Sequence, residues 1–382
     1  MSRERFWLPL NQTQRRKWDA IDERLDFRVL AAAQAGSPRH AARFDLAGPA
    51  RPKSLDGALY YVRLPRRIAR ELKSFEPDVA WVQGVHEGLA FLIARKLARV
   101  DTKFILDVQG DWRAATRLYG SRARRLLNPL NDLIGRTAPR RANGVRTLSP
   151  YTSTLVRELG VEPVAEFAPF VDSTVFLSAP PVPLPARPTA LFVGVLERYK
   201  GFDTLAAAWP IVRACVPEAE LKVVGRGTLA PVAEELTVER GSWTESLDAA
   251  GVAAAMDAAT LLCLPSRAEG LGRVVVEAMC RGRAVVGGDA GGIPDVVDSG
   301  TNALLVSPDD PDELASALVR VLADRTEAER LGAAARRAAE RTNVTPEHFA
   351  AALTSVVDAV RNEAPATKGA ATPAPQDTPE LA

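Results

Sequence analysis

Cysteine and histidine are scarce in this chain, with three of each among 382 residues. Cys215, Cys263 and Cys280 stand in apolar surroundings without ligand spacing. They read as buried thiols of a reducing compartment, not as metal ligands or disulfide partners. One acidic triplet, Asp310-Pro311-Asp312, has the form of a metal-binding Asp-x-Asp, but its place just ahead of a periodic helix marks a helix cap. No metal and no cofactor are expected. No apolar run approaches the roughly 18 residues of a membrane span. The first segment, MSRERFWLPLNQTQRRKW, is basic but has too short an apolar core for a signal peptide. A cytoplasmic protein is expected. No strand-like run is followed by Gly-x-Gly-x-x-Gly, which argues against a nicotinamide-dependent oxidoreductase. No short internal repeat is present.

The net charge is only +2, yet it is unevenly spread. Residues 1–186 hold 30 Lys and Arg against 19 Asp and Glu, and the remainder holds 19 against 28. A first half that faces an anionic partner and a plain bias toward Arg both account for this. No nucleic-acid partner is expected.

At this length two domains are expected, and the pattern supplies them. Short buried runs such as Phe27–Ala33, Val79–Gln83 and Phe104–Val108 alternate with helical periodicity, as in a parallel, doubly wound α/β sheet. Pro180 to Pro188, reading PPVPLPARP, disfavours helix and central strand and stiffens the connection. After it the alternation restarts, with strands at Ala190–Val195, Glu220–Val224, Thr260–Leu264 and Ala284–Gly287. The expected units are therefore residues 1–179, a linker at 180–188, a second domain at 189–345 and a final helix at 346–362. The tail 363–382 is Ala/Pro/Thr-rich without periodicity and is expected to be disordered.

Two open α/β sheets joined this way leave a cleft, with ligands beyond the carboxyl ends of the strands. The richest such segment is Leu264–Met279, LPSRAEGLGRVVVEAM. A strand ends at Pro265, a loop carries Ser266 and Glu269, and a helix opens through Gly270, Leu271, Gly272 and Arg273 and carries Glu277. Free backbone N–H groups and the positive end of the helix dipole suit a phosphate there. The glycines permit close approach, and the flanking carboxylates accept hydrogen bonds from hydroxyls. That is the chemistry of a nucleotide-sugar site.

In this Glu-x7-Glu segment the chain resembles the family 4 retaining glycosyltransferases (glycosyl transferases group 1). The resemblance implies a GT-B fold: two Rossmann-like, doubly wound domains, the acceptor side in the first and the nucleotide-sugar donor site in the second. The final helix would then return to the first domain. It implies that Glu269 contacts the donor sugar and Glu277 the ribose, with Ser266 and residues 270–273 around the donor. It places a diphosphate-holding Lys-Gly pair at Lys200-Gly201, in the loop opened by Gly194. The family's companion Arg falls at Val195, so Arg198 is the candidate replacement. The Gly225-Arg226-Gly227 turn matches a loop that approaches the nucleotide, and Gly287–Asp295 a glycine-rich turn lining the donor pocket. Catalysis by Glu269, Lys200 and Arg198 would need no metal, the cations neutralising the leaving diphosphate.

The first half conforms less. The segment Phe6–Gln14 lacks the family's glycine pair, and Gln109 stands where many relatives have His. Gln109, Asp111 and His86 are candidate acceptor or sugar contacts, with a structural role equally open to His86. The Arg-rich stretch 113–146, interleaved with leucines, reads either as a solvated basic face or as a peripheral contact with an anionic membrane at its inner face. The implied partners are a nucleotide-sugar donor and a glycan or lipid-linked acceptor. The implied reaction is transfer of a hexose-type sugar with retention. A GT-B protein without activity, binding a glycan or a partner enzyme, is the rival reading.

Overall fold

The computed structural model describes residues 4–49, 56–114, 117, 128–341 and 344–362. The expected tail at 363–382 and most of the Arg-rich stretch between 115 and 127 lie outside them.

The second domain is built on six parallel strands: β9 (Thr189–Val193), β10 (Glu220–Val224), β11 (Gly241–Thr244), β12 (Leu261–Leu264), β13 (Ala284–Gly288) and β14 (Leu304–Val306). Their order is β11-β10-β9-β12-β13-β14, so the chain reverses direction of travel between β9 and β12. This is the doubly wound order, with a crevice at the switch point. All four residues of β12 are buried, as an apolar run covered by helices on both faces must be. Phe192 and Phe202 pack edge to face at 4.9 Å beneath the β9 loop. The expected strand at 190–195 stops at Val193, although the Gly194 N–H still donates to the Val224 carbonyl at 2.9 Å. After β10 a helix spans Ala230–Thr237, and Gly241 already belongs to β11. The helix Ala249–Asp257, which apolar periodicity had not marked, starts where Asp248 accepts from the Gly251 N–H at 2.8 Å.

The first domain departs from a single doubly wound sheet. Its strands β1 (Arg5–Phe6), β2 (Val29–Ala33), β3 (His40–Ala41) and β4 (Phe44–Ala47) form one four-stranded sheet, with β3–β4 antiparallel. The strands β5 (Val79–Gln83), β6 (Lys103–Val108), β7 (Gly144–Thr147) and β8 (Ala165–Glu166) form another, all parallel. Among the described residues no ladder joins β1 to β5. Strand β1 is two residues long and is soon followed by Pro9, which has no N–H to extend a ladder.

The helix Pro346–Asn362 lies against the first domain. Lys103 donates to the Val360 and Arg361 carbonyls at 2.9 and 3.2 Å, and Phe349 meets the rings of Phe167 and Phe170. Two thiols, Cys263 and Cys280, are buried as expected, and burial pushes both up, Cys280 to about 11. Cys215 corrects the reading of three buried thiols: it ends the helix Phe202–Cys215 and is exposed.

Candidate active site

Four loops leave the carboxyl ends of β9, β10, β12 and β13 and meet at one end of the second sheet. Their glycines are explained by backbone meeting backbone. A Cβ on Gly225 would lie 1.8 Å from the Gly194 carbonyl oxygen, and one on Gly227 would lie 2.3 Å from that of Leu196. Gly291 and Gly292 wrap the β12 loop equally closely, and the Gly292 N–H donates to the Glu269 carbonyl at 3.0 Å. Glu197 ties the first two loops together by accepting from the Thr228 N–H at 2.9 Å and its hydroxyl at 2.8 Å.

Inside this cradle Lys200 and Glu269, 69 residues apart, form an ion pair, with side chains only 16% and 11% exposed. Ser266 Oγ donates to the same Glu269 oxygen, Oε1, at 2.9 Å. The pair is positioned by Gly201, in a left-handed conformation, whose Cβ would strike the Pro265 carbonyl at 1.9 Å. Only glycine lets the Lys200 loop lie this close to the Glu269 loop.

Gly272, also left-handed, opens the helix Arg273–Cys280. Glu277 is half-buried on that helix. Burial pushes its carboxyl up to about 7, against the opposing pull of Arg273. No donor among the described residues bonds it.

Arg198 is engaged by an acid other than Glu269. Its guanidinium pairs with Asp203 at 3.2 Å and is 66% exposed. A residue within the motif that had received no role, Arg267, occupies the junction instead. It is 9% exposed, donates to Asp203 at 2.6 and 3.1 Å and to Thr204 at 3.0 Å, and also pairs with Asp309. Its own N–H donates to the Tyr199 carbonyl at 2.8 Å. Arg267 thereby fastens the Lys200 loop to the Glu269 loop. A charged residue beside a glycine-rich acid motif was the available signal.

The first domain closes over the site. A Cβ on Gly270 would fall 2.0 Å from the Gln109 carbonyl oxygen. Ser149 Oγ donates to the Gly270 carbonyl at 3.1 Å, and the Tyr151 N–H donates to Asp295 at 3.0 Å. Ser149 and Tyr151 had not been singled out; the Ser-Pro following β7 was their only mark. Gln109 donates to Asp107 at 2.9 Å. Asp111 accepts from Arg113 Nε at 2.9 Å and from the Tyr151 hydroxyl at 3.4 Å. His86 bonds Asn131 at 2.7 Å, and Asn131 in turn donates to the Trp112 carbonyl, so the imidazole is tied into the fold.

Arg146 corrects the picture of the Arg-rich stretch. It is buried, bonded to Asp107 at 2.7 Å, and stacked 4.1 Å from the Phe167 ring centre. On the helix Asn128–Arg141, by contrast, Leu130 and Leu133 are exposed alongside Arg136 and Arg140. Asp310 accepts from the Asp312 and Glu313 N–H groups at 3.1 and 2.9 Å, as a helix cap does. Among the described residues no group of three or more His, Cys, Asp or Glu converges as a metal site, and no helix is long and apolar enough to cross a membrane.

Comparison with known proteins bears on both domains. The family described as "Glycosyl transferases group 1" matches residues 187–324, and the "Glycosyl transferase 4-like domain" matches residues 11–168. A GDP-mannose-dependent alpha-(1-6)-phosphatidylinositol monomannoside mannosyltransferase of Mycobacterium tuberculosis is 35% identical over 164 residues, covering 39% of this chain and 42% of that protein. A 2-deoxystreptamine glucosyltransferase of Streptomyces kanamyceticus is 33% identical over 218 residues, covering 52% of this chain and 56% of that protein. The matched stretches thus span about half of these relatives. Among solved structures, a sucrose-phosphate synthase from Thermosynechococcus elongatus superposes with a TM-score of 0.74 at 20% identity, covering 91% of this chain and 92% of that one. Anabaena HepE, solved in complex with UDP and glucose, gives 0.68 at 17% identity, covering 94% and 98%. At such identities the structures speak for the fold.

Proposed function

The chain belongs to the group 1 glycosyl transferases, with a GT-B fold, and we propose that it moves a hexose-type sugar from a nucleotide-diphosphate donor to a glycan or lipid-linked acceptor with retention. The observation that carries this is the Lys200–Glu269–Ser266 cluster, set among four strand-end loops beneath the first domain. In this reading Lys200 holds the donor diphosphate. The amides of residues 270–273 at the helix start add to that field. As the glycosidic bond breaks, negative charge grows on the leaving phosphate, and a cation already aimed at it lowers the barrier most. That phosphate takes the acceptor's proton on the face where the new bond forms. Glu269 orients the sugar hydroxyls and opposes positive charge at the ring. Glu277 accepts from the ribose hydroxyls.

No metal is required in this scheme. Arg198 reaches the diphosphate only by leaving Asp203, so Lys200 carries the main electrostatic load. The exposed Leu130–Arg140 face supports peripheral contact with an anionic membrane. The rival, a binding protein without activity, is favoured by Val195 at the Arg position and by the outward turn of Arg198. A panel of nucleotide sugars decides between them: thermal stabilisation by one of them, followed by its slow hydrolysis, supports the transferase. Stabilisation by none overturns it.

A further inference from the structure

We propose that the Arg273 side chain is the second cation of the donor site, holding the phosphate next to the ribose while Lys200 holds the phosphate next to the sugar. This rests on the transfer reading above and adds a residue to it. Arg273 is exposed, and among the described residues it makes no hydrogen bond or ion pair. It is the first residue of the helix that carries Glu277, and four residues along a helix return to the same face. The two stand about 6 Å apart along the axis, with Arg273 toward the N-terminus. That separation is comparable to the span from a ribose diol to its own 5′-phosphate.

A cation at this place is unfavourable in the protein alone. The helix start already presents free N–H groups and the positive end of the dipole, which favour an acid there. Arg ahead of Glu at this spacing is also the weaker order for a helical ion pair, and the two form none. An anion brought to the helix start offsets the guanidinium and the dipole together. Local rules are broken in this way where function requires it.

This helix start faces the first domain. Three residues before Arg273, Gly270 lies against the Gln109 carbonyl, and its own carbonyl accepts from Ser149 Oγ at 3.1 Å. The charge of Arg273 is felt on both sides of the junction. Burial raises the Glu277 carboxyl and Arg273 pulls it back. Burial lowers the Lys17 ammonium of the first domain, and Arg146 and Arg273 add to that against Glu4 and Asp107.

The donor's groups then meet four side chains in order: sugar at Glu269, its phosphate at Lys200, the second phosphate at Arg273, and ribose at Glu277. Val195 leaves the site one cation short, and Arg198 is engaged by Asp203. The two cations of the donor differ in what they do. Charge on the sugar-bound phosphate grows as the glycosidic bond breaks, so Lys200 acts most in the transition state. Charge on the ribose-bound phosphate does not change, so Arg273 holds ground and transition states alike and acts on KM rather than kcat.

The test is calorimetry of the full chain at pH 8, above the Glu277 value of about 7, with GDP, GMP and guanosine and with UDP, UMP and uridine. In the series that binds, the monophosphate should bind about tenfold tighter than the nucleoside or better, as a charge-assisted contact provides. Arg273→Gln should abolish that advantage at an unchanged Tm, and Arg273→Lys, which keeps the charge, should retain most of it. Lys200→Ala should weaken the diphosphate and spare the monophosphate. With the matching nucleotide sugar, Arg273→Gln should raise KM about tenfold at unchanged kcat. Monophosphate affinity that is equal in wild type and Arg273→Gln overturns the proposal alone. So does a Lys200→Ala variant that loses the monophosphate equally, or an Arg273→Gln loss confined to kcat. Absence of binding in both series overturns the transfer reading and the proposal with it.

Discussion

Donor affinity should rise with pH through neutrality, and Glu277 is the reason. Burial holds its carboxyl at about 7 with no hydrogen-bond donor among the described residues to compensate. In the protein alone, the stability attached to this group is full below the ordinary glutamate range and is lost as pH climbs through 7, because the charged form is the one penalised. A ribose placing two hydroxyls on the carboxylate favours the charged form, so binding must ionise Glu277 whenever it is protonated. At pH 6 about one molecule in eleven is already ionised, and at pH 8 about ten in eleven, by the titration of a group with a pKa of about 7. The donor's dissociation constant should therefore fall about tenfold between those values. A diphosphate diester does not titrate there, so the slope belongs to the protein. Calorimetry of one nucleotide sugar from pH 6 to pH 8 measures it, and Glu277→Gln should flatten it while weakening affinity at pH 8. A wild-type affinity independent of pH, or an equal slope in the variant, would refute the ribose role.

Other outcomes follow from contacts already described. Lys200→Ala should lower turnover by about 100-fold or more if it supplies the main contact to the leaving diphosphate, which steady-state kinetics with saturating donor will read. Gly270→Ala would set a methyl group 2.0 Å from the Gln109 carbonyl; the domains must part, and transfer should fall by about 100-fold for a displacement near 1 Å. Arg146→Ala leaves Asp107 charged and buried without its cation, so urea denaturation should show a loss of about 3–5 kcal/mol. EDTA should leave activity unchanged, and rescue of a treated sample by divalent ions would overturn the metal-free scheme.

The second domain was legible because its central strands β9, β12 and β13 are buried on both faces and its loops carry their glycines at strand ends. Leu261–Leu264, Glu269 and Glu277 could be placed from the chain alone. What escaped was whatever depends on two segments meeting. Nothing local indicates that Gly225 faces the Gly194 carbonyl, or that Arg267 chooses Asp203 and Asp309 and draws Asp203 toward Arg198 as well. The first domain was legible only as alternation. Its opening strand is two residues long, too short for any periodicity, and the split it leaves between β1 and β5 is a property of pairing. Arg146 shows the opposite failure: composition placed it on a basic surface, whereas β7 turns it inward onto Asp107. The helix Gln12–Asp22 went unmarked because its polar face dominates its composition, although Asn11 caps it by accepting from the Gln14 N–H at 2.8 Å.

The pairing of Lys200 with Glu269 sets the order in which the site must work. One Glu269 oxygen takes both the Lys200 ammonium and the Ser266 hydroxyl. A donor diphosphate offers Lys200 a competing anion of higher charge at the same depth. Coulomb attraction at a few ångströms in a partly buried site is worth several kcal/mol, so a shift of the ammonium toward phosphate is favourable only if Glu269 finds other donors. The sugar's hydroxyls are such donors, and they arrive on the same molecule. A nucleoside diphosphate lacking the sugar would pull Lys200 away and leave Glu269 with Ser266 alone. The intact donor should accordingly bind more tightly than the diphosphate product when charge is taken into account, and Glu269→Gln should erase that difference by removing the carboxylate that needs the sugar.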